Sequence, residues 1–510
     1  MADLVWHQVT PGVWERDADE IEQSYAVSAK WYEGSGRMYF AITGHLSVTI
    51  SLSKEFISRD KDVQEQFEAA LRAAWLQTRY DYPTIASVVT LDKQSGRWKK
   101  TYHTLQTSEA RDDWLQETFK TVSSDRTGVE WANSDPPAPK MPTLFVIKPP
   151  EQVDQVRRDL VLRSPHDIID GIGTLLLLNN LISHASKAYA AGAPLPKFPL
   201  DGSEAGNLSP AYRIAAAVPD VPTPAQQKRL DGLVPRNAPP KQDPGVDLLG
   251  IPYRKGILIP GRHQRVALTL STGETLRLTA ACKAAGATVT HAFHAAIALT
   301  LRDLQERRPE ERRVRYVGYI LRNERGRCVP PYNSPKHAAA LYHSVPQKSL
   351  IVDMTVPMQG EELSSEKSQE NSREEFRRIL DITKEFYHSV RDDVDHYAIA
   401  PYIWAAGIPN LPPIAEGRTL PVPPPAVLAP VTISSMGVVD KIITPNTGPF
   451  ELHDPWVTGE ELRSGLGLFL GAFRGQLCLS GAYNDAWHGK EKVLGYLNQC
   501  KEAVFRGFGI

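Results

Sequence analysis

The sequence predicts an α/β (α+β) chain organised as two lobes. Three observations carry that expectation. The chain has 510 residues, and single cores stop growing near about 250 to 300 residues. Apolar residues recur with both a period of two and a period of 3.6 in the same third of the chain. A long proline-rich stretch then interrupts both patterns near the middle.

Taken in order, "MYFAITGHLSVTISL" (38–52) is rich in β-branched and aromatic residues and reads as a strand. "DVQEQFEAALRAAWLQTRY" (62–80) sets Phe67, Leu71, Ala74 and Trp75 at helical spacing. "LFVIKPPEQVDQVRRDLVLRS" (144–164) reads as two short strands, and "TLLLLNNLISHASKAYA" (174–190) as a helix burying Leu175, Leu178, Ile182 and Ala185. These place an N-terminal lobe at 1–195. Proline then concentrates through 196–262, where it removes backbone donors and fixes φ, so this stretch is expected to be a crossover linker rather than core.

A C-terminal lobe is expected at 263–510. It opens on a strand and a helix capped by Gly286, followed by a second helix in "TVTHAFHAAIALTLRDLQERR". "RYVGYILRNERGR" is a strand ending in charge. "GEELSSEKSQENSREEFRR" reads as a solvated loop feeding an exposed helix face. A second proline-rich loop precedes "VTISSMGVVD". "SGLGLFLGAFRGQLCLSGAYN" is a strand pair turning at Arg474 and Gly475, and "KEKVLGYLNQCKEAVFRG" is a closing helix.

Composition narrows the function. The formal net charge is −1, which provides no general field for a phosphate backbone or an anionic membrane. The four cysteines, Cys282, Cys328, Cys478 and Cys500, have neither zinc-ribbon nor disulfide spacing. The first residues lack the basic start and apolar core of a secretory signal, and "IGTLLLLNNLI" is shorter than the roughly 20 residues that span a bilayer. The expectation is a soluble cytoplasmic monomer with small-molecule partners and neither nucleic acid nor membrane.

The sharpest motif is "SPHDIIDG", which places His166 four residues before Asp170 and closes on Gly171. A neutral imidazole with an ordinary pKa near about 6.5 accepts a proton at cellular pH. Asp170 either orients that ring, pairs with an arginine, or simply caps the next helix. Arg322 and Arg325 in "LRNERGR" compete with Arg79 for it. Gly171 is expected to allow a tight turn or a close approach. The histidine and carboxylate groups at His291, His294, His388, Asp392, Asp393, Asp395 and His396 lack known ligand spacing, so no metal is expected. "GLGLFLG" fails as a dinucleotide loop, and neither a serine-hydrolase elbow nor a P-loop is present.

"HDIIDG" resembles the HxxxDG motif of CoA-dependent acyltransferases and of condensation domains of nonribosomal peptide synthetases. "ALRAAWLQTRYDYPTIAS", "AGATVTHAFHAAIALTL", "ISSMGVVD" and "FRGQLCLSGAYND" follow the order seen in fungal acetyltransferases, most like the trichothecene 15-O-acetyltransferase group. The resemblance implies two chloramphenicol-acetyltransferase-like lobes, each a mixed sheet flanked by helices, with an active-site channel between them. By it, His166 is the general base and Asp170 a structural residue salt-bridged to an arginine, preferably in the Arg322 and Arg325 region. The resemblance further implies acyl-CoA (acetyl-CoA) as a cosubstrate rather than a tightly bound cofactor, and a metabolite hydroxyl as the acceptor. Two departures stand out: the DFGWG element of the plant branch is replaced by "SSMGVVD", and Pro165 stands where condensation domains carry a second histidine. Amide or ester formation from a carrier-bound thioester, a cyclase, and a non-catalytic metabolite-binding protein are the alternatives. Ser434 and Ser435 are candidates for the oxyanion or substrate contact, or are hydroxyls bonded to backbone.

Overall fold

Strand Ile42–Ser51 lies at the centre of the first lobe, paired antiparallel along its whole length with Gln155–Ser164, from Ile42 opposite Ser164 to Ser51 opposite Gln155. The computed structural model describes residues 3–52, 60–150, 154–234, 243–360, 366–413 and 418–510. The central strand is buried on both faces up to Ile50. Leu46, Val48 and Ile50 enter a core with Phe67, Leu71, Trp75 and Leu160. The alternate positions are polar and mostly hydrogen-bonded: the Ser47 hydroxyl donates to Asp159 at 2.6 Å, the Thr43 hydroxyl to Glu460 at 2.8 Å.

Helices Asp60–Asp81 and Gly171–Ala190 pack on this sheet. Phe67, Leu71, Ala74 and Trp75 of the first, and Leu175, Leu178, Ile182 and Ala185 of the second, are all buried, as their spacing requires. The second lobe is built on a four-stranded sheet in the order His263–Thr269, Gln476–Asn484, Leu466–Phe473, Val431–Val438. Helices Val289–Asp303 and Lys490–Phe508 cover it, and Glu366–Arg391 packs on those two helices and on strand Leu350–Val356 of a neighbouring sheet. Arg474 and Gly475, at φ 49° and 73°, make the expected turn of its hairpin. Gly286, at φ 59°, follows the helix Thr272–Ala284.

Three expectations are corrected. The linker 196–262 is not a bare connector. Ala205, Leu208, Ala211, Tyr212 and Ala215 are buried, and the Tyr212 amide donates to Asp19 at 2.8 Å. The apolar residues between its prolines have core to enter, and Pro224 opens a helix where its missing N–H has no cost; residues 235–242 lie outside the described residues. The polar run after Gly360 is mainly helix, Glu366–Arg391, because Phe376, Ile379, Leu380 and Thr383 supply one buried stripe, while 361–365 lie outside the described residues. Finally, Phe450–Gly459, within the segment expected to form the second lobe, pairs with Ile42–Ser51 and extends the first sheet to six strands. The two lobes are therefore stitched together at the edge where His166 lies. Among the described residues no single helix is long and apolar enough to cross a membrane.

Candidate active site

His166 sits in the turn between strand Gln155–Ser164 and helix Gly171–Ala190. Asp170 is that helix's N-cap, and its Oδ1 accepts the Gly173 amide at 2.7 Å. Arg325 Nη1 lies 2.9 Å from both carboxylate oxygens, and the Tyr342 amide donates to Oδ2 at 2.9 Å. Burial alone would raise this carboxyl, but Arg325 and His343 hold it well below the ordinary range. The open question over Asp170 is thereby resolved in favour of the ion pair plus the cap, since its oxygens are spent on the frame and none reaches His166.

Of the competing arginines, Arg325 is the partner. Arg322 instead donates to the Val390 carbonyl and pairs with Glu324. Arg79 points the other way, to the Tyr102 hydroxyl and the His103 carbonyl. Gly171 also differs from expectation. It is the first helical residue, its φ is not left-handed, and a Cβ there would make ordinary contact with Val457 at 3.5 Å. Gly173 is the position that permits no side chain, because a Cβ would stand 2.2 Å from the Ala338 carbonyl and 2.8 Å from Arg325 Nη2.

The His166 ring is 6 % exposed overall and packed among aromatic rings. Tyr25 stacks on it with centroids 3.8 Å apart at 19°, and Phe40 lies nearly parallel at 5.8 Å. Its Nδ1 is buried without a well-formed hydrogen bond, although the carbonyls of His166 itself and Ile169 favour a proton there. Nε2 is the open nitrogen. Burial first, and then the neighbouring His343, pull this imidazole down to about 3, so the resting ring is neutral. His343 joins the two parts of the site. Its Nε2 is 3.0 Å from the Tyr25 hydroxyl, and its Nδ1 is 3.7 Å from Asp170 Oδ2. The first contact is a hydrogen bond; at the second distance Nδ1 has no hydrogen-bond partner among the described residues.

His166 opens on a cavity of about 690 Å³ between the two lobes. Trp31, Tyr39, Phe40, Ile403, Trp404 and Met436 give it a mostly apolar lining. Ser434 and Ser435 line it from the opposite lobe, on strand Val431–Val438. The Ser435 hydroxyl is shared with Thr290 at 2.9 Å, whereas that of Ser434 has no protein partner among the described residues. A second cavity of about 280 Å³ shares Met436, Val457 and Phe469 with the first as a common wall.

His294 lies between the hydroxyls of Tyr316 and Tyr387 at 3.0 and 3.2 Å, and His396 meets Ser344 at 2.8 Å. Asp393 pairs with Arg229. No group of three or more metal-ligating side chains occurs among the described residues. Sequence reasoning missed Tyr25, Phe40, His343 and Gly173. Tyr25 is one apolar-face residue of an ordinary helix, Glu20–Tyr32, and His343 comes from a two-residue strand; only the tertiary fold brings them to the motif.

No family model matches the chain. Two curated relatives come from Monascus ruber. The acetyltransferase pigO is 24 % identical over 519 residues, covering 99 % of each chain. The O-acetyltransferase pigM is 24 % identical over 498 residues, covering 95 % of this chain and 84 % of its own. Among solved structures, TRI3 trichothecene 15-O-acetyltransferase from Fusarium sporotrichioides superposes with a TM-score of 0.73 at 15 % identity, covering 99 % of this chain and 98 % of its own. The condensation domain of the Monacolin K polyketide synthase MokA gives 0.55 at 12 % identity, covering 96 % and 97 %. The mixed α/β fold, with two lobes, is thus shared with both groups.

The frame makes a direct prediction. Asp170→Asn leaves Arg325 buried without its counter-charge, so urea unfolding should show a loss of about 3 to 5 kcal/mol. Gly173→Ala should cost about 1 to 3 kcal/mol through overpacking, while Gly171→Ala stays close to the native midpoint.

Proposed function

We propose that this acyltransferase of the coenzyme A-dependent superfamily carries an acyl group, acetyl foremost, from coenzyme A directly to a hydroxyl of a secondary metabolite, with His166 as general base. The names of the relatives support acetyl transfer to oxygen. The observation that carries the assignment is a neutral imidazole whose one open nitrogen faces an apolar cavity between two lobes. On this reading the enzyme is a cytoplasmic monomer, and its near-zero net charge supplies no general field for nucleic-acid or anionic-membrane partners.

The chemistry follows from the placement of these groups. The acceptor hydroxyl donates to Nε2 of His166, and its oxygen attacks the thioester carbonyl as the proton moves to the ring. A carbonyl π bond becomes an oxyanion, for which the unengaged Ser434 hydroxyl is the better donor; the Ser435 hydroxyl is already committed to Thr290. Collapse re-forms the carbonyl and breaks the carbon–sulfur bond. The departing thiolate takes the proton from the imidazolium, so ester and free thiol leave a neutral ring behind. A base held so far down is weak at rest. The oxyanion that develops beside it favours the imidazolium only during attack, when the proton must be held.

The test is turnover of acetyl-CoA with hydroxylated polyketide acceptors, read as free thiol and as product one acetyl group heavier. His166→Ala should lower kcat about 10²- to 10⁴-fold while its urea midpoint stays near that of the native protein. Ser434→Ala should lower kcat about 10²-fold, and Ser435→Ala much less.

The acid side should be governed by folding. His166 and His294 are held down to about 3, and His263, His291 and His396 to about 4, from an ordinary 6.5. Between those values the unfolded chain binds protons that the folded chain refuses, so stability falls as pH drops below about 6.5. Asp19 and Asp167, pushed up to about 7 by burial, act in the opposite sense, but two groups oppose five. Thermal melts should therefore drop from pH 7 to pH 5, while kcat/KM shows no limb near 6.5 and fails only where the fold does.

A further inference from the structure

The second cavity is lined by a cation that has no carboxylate partner among the described residues. Six arginines are buried among the described residues: Arg16, Arg79, Arg158, Arg163, Arg265 and Arg325. Arg16, Arg158, Arg163 and Arg325 each meet a carboxylate, from Glu22, Glu68, Glu460 and Asp170. Arg79 has a hydroxyl and a carbonyl. Among the described residues the Arg265 guanidinium meets no oxygen. Only 5 % exposed, it lies over Trp456 with Cζ 4.3 Å from the ring centroid, and Nη2 is 3.9 Å from the Cys478 sulfur, a weak acceptor.

Its environment explains neither the charge nor its retention. Nε of Arg265 is buried without a partner, as is the indole nitrogen of Trp456. Nη1 has no protein hydrogen bond and is left to the cavity that the residue lines. Around that cavity stand Arg474, which pairs with Glu451, and His453. The one acid of the lining is Asp454, whose half-exposed carboxylate lies 3.7 Å from His45. Glu460, nearer the start of the strand His263–Thr269, is consumed by Arg163. The Arg265 backbone is fixed by a two-way pairing with the Asn133 side chain, so the guanidinium is presented rather than wandering.

We infer that the second cavity is an anion-binding site in which Arg265 takes an oxyanion, a phosphate ester or a carboxylate, from a small molecule. Taking a cation out of water costs free energy that the face of Trp456 returns only in part. An incoming oxyanion supplies both the counter-charge and the missing acceptors, through charge-assisted hydrogen bonds of the stronger kind. The shared wall of Met436, Val457 and Phe469 sets this site beside the His166 cavity, so the anion is carried by a donor or acyl group reaching that wall, or is free in solution. The assignment is read by binding and does not rest on His166 acting as a base.

Titration calorimetry and thermal melts of the full chain test it with coenzyme A, pantetheine, inorganic phosphate and succinate. At least one anionic probe should bind, weaken in high salt, and lose about tenfold or more in affinity with Arg265→Met; uncharged pantetheine should not distinguish the two proteins. Coenzyme A alone marks a phosphate ester as the source, phosphate a free ion, and succinate a carboxylate. Arg265→Lys should bind within a few-fold of the native protein, and His166→Ala equally well whether or not it still turns over. Because the cation is unpaired, ligand-free Arg265→Met should melt at or above the native temperature. A lower melting temperature with unchanged binding of every probe would make Arg265 a structural residue and end the proposal, as would a native protein that binds none of the anions.

Discussion

The carboxylate of Asp170 is the constraint on which the site depends. In one place it closes the open end of a helix, neutralises Arg325 and takes the backbone amide of Tyr342. A buried carboxylate without such partners would protonate or expel the turn toward water. The partners come from a distant part of the chain, and Arg325 in turn donates to the Ala338 and Ala340 carbonyls. The segment following the second-lobe strand is thereby clamped beneath the turn that carries His166. Gly173 belongs to the same clamp, since the close approach of the Ala338 carbonyl leaves no room for a Cβ.

Once the clamp is made, His343 follows from it, being the residue after Tyr342. Its ring has Asp170 on one side and the Tyr25 hydroxyl on the other, and Tyr25 stacks on His166. Asp170 therefore influences the histidine through a relay of packed groups rather than a direct bond. Burial governs both residues with opposite results. The carboxylate can stay charged because the Arg325 guanidinium reaches it; the imidazole, with a second histidine beside it, stays neutral. The two members of one short motif end up in opposite protonation states, one charged and one neutral.

That division shows how far the sequence could be read. The helix faces of 62–80 and 174–190 were legible because burial imposes a period, and the hairpin at Arg474 and Gly475 because a tight turn demands positive φ. The motif itself was legible because its residues are neighbours in the chain. Which arginine answers Asp170 was not, because Arg325 is 155 residues away and Arg322 carries the same charge three positions earlier. The entry of Phe450–Gly459 into the first sheet is a matter of topology, to which local pattern is blind. The polar run before Phe376 misled in another way: a long helix needs one buried stripe, and its other faces resemble any solvated loop.

Both lobes feed the charged frame: the first gives it His166 and Asp170, the second Arg325 and His343. The second supplies much of the surface a substrate would meet: Ile433, Met436 and Phe469, with Ser434 as a hydroxyl set among them. Met436 sits beside a bulge between Ser435 and Gly437, where the strand departs from regular pairing with Leu466–Phe473. A bulge re-aims side chains without disturbing the sheet behind it, and methionine adapts its shape at little cost. Changes along that wall reshape what fits on either side while leaving Asp170, Arg325 and His166 untouched. Under the proposed reaction, a fold arranged in this way would hold its proton chemistry constant while its choice of substrate is free to vary.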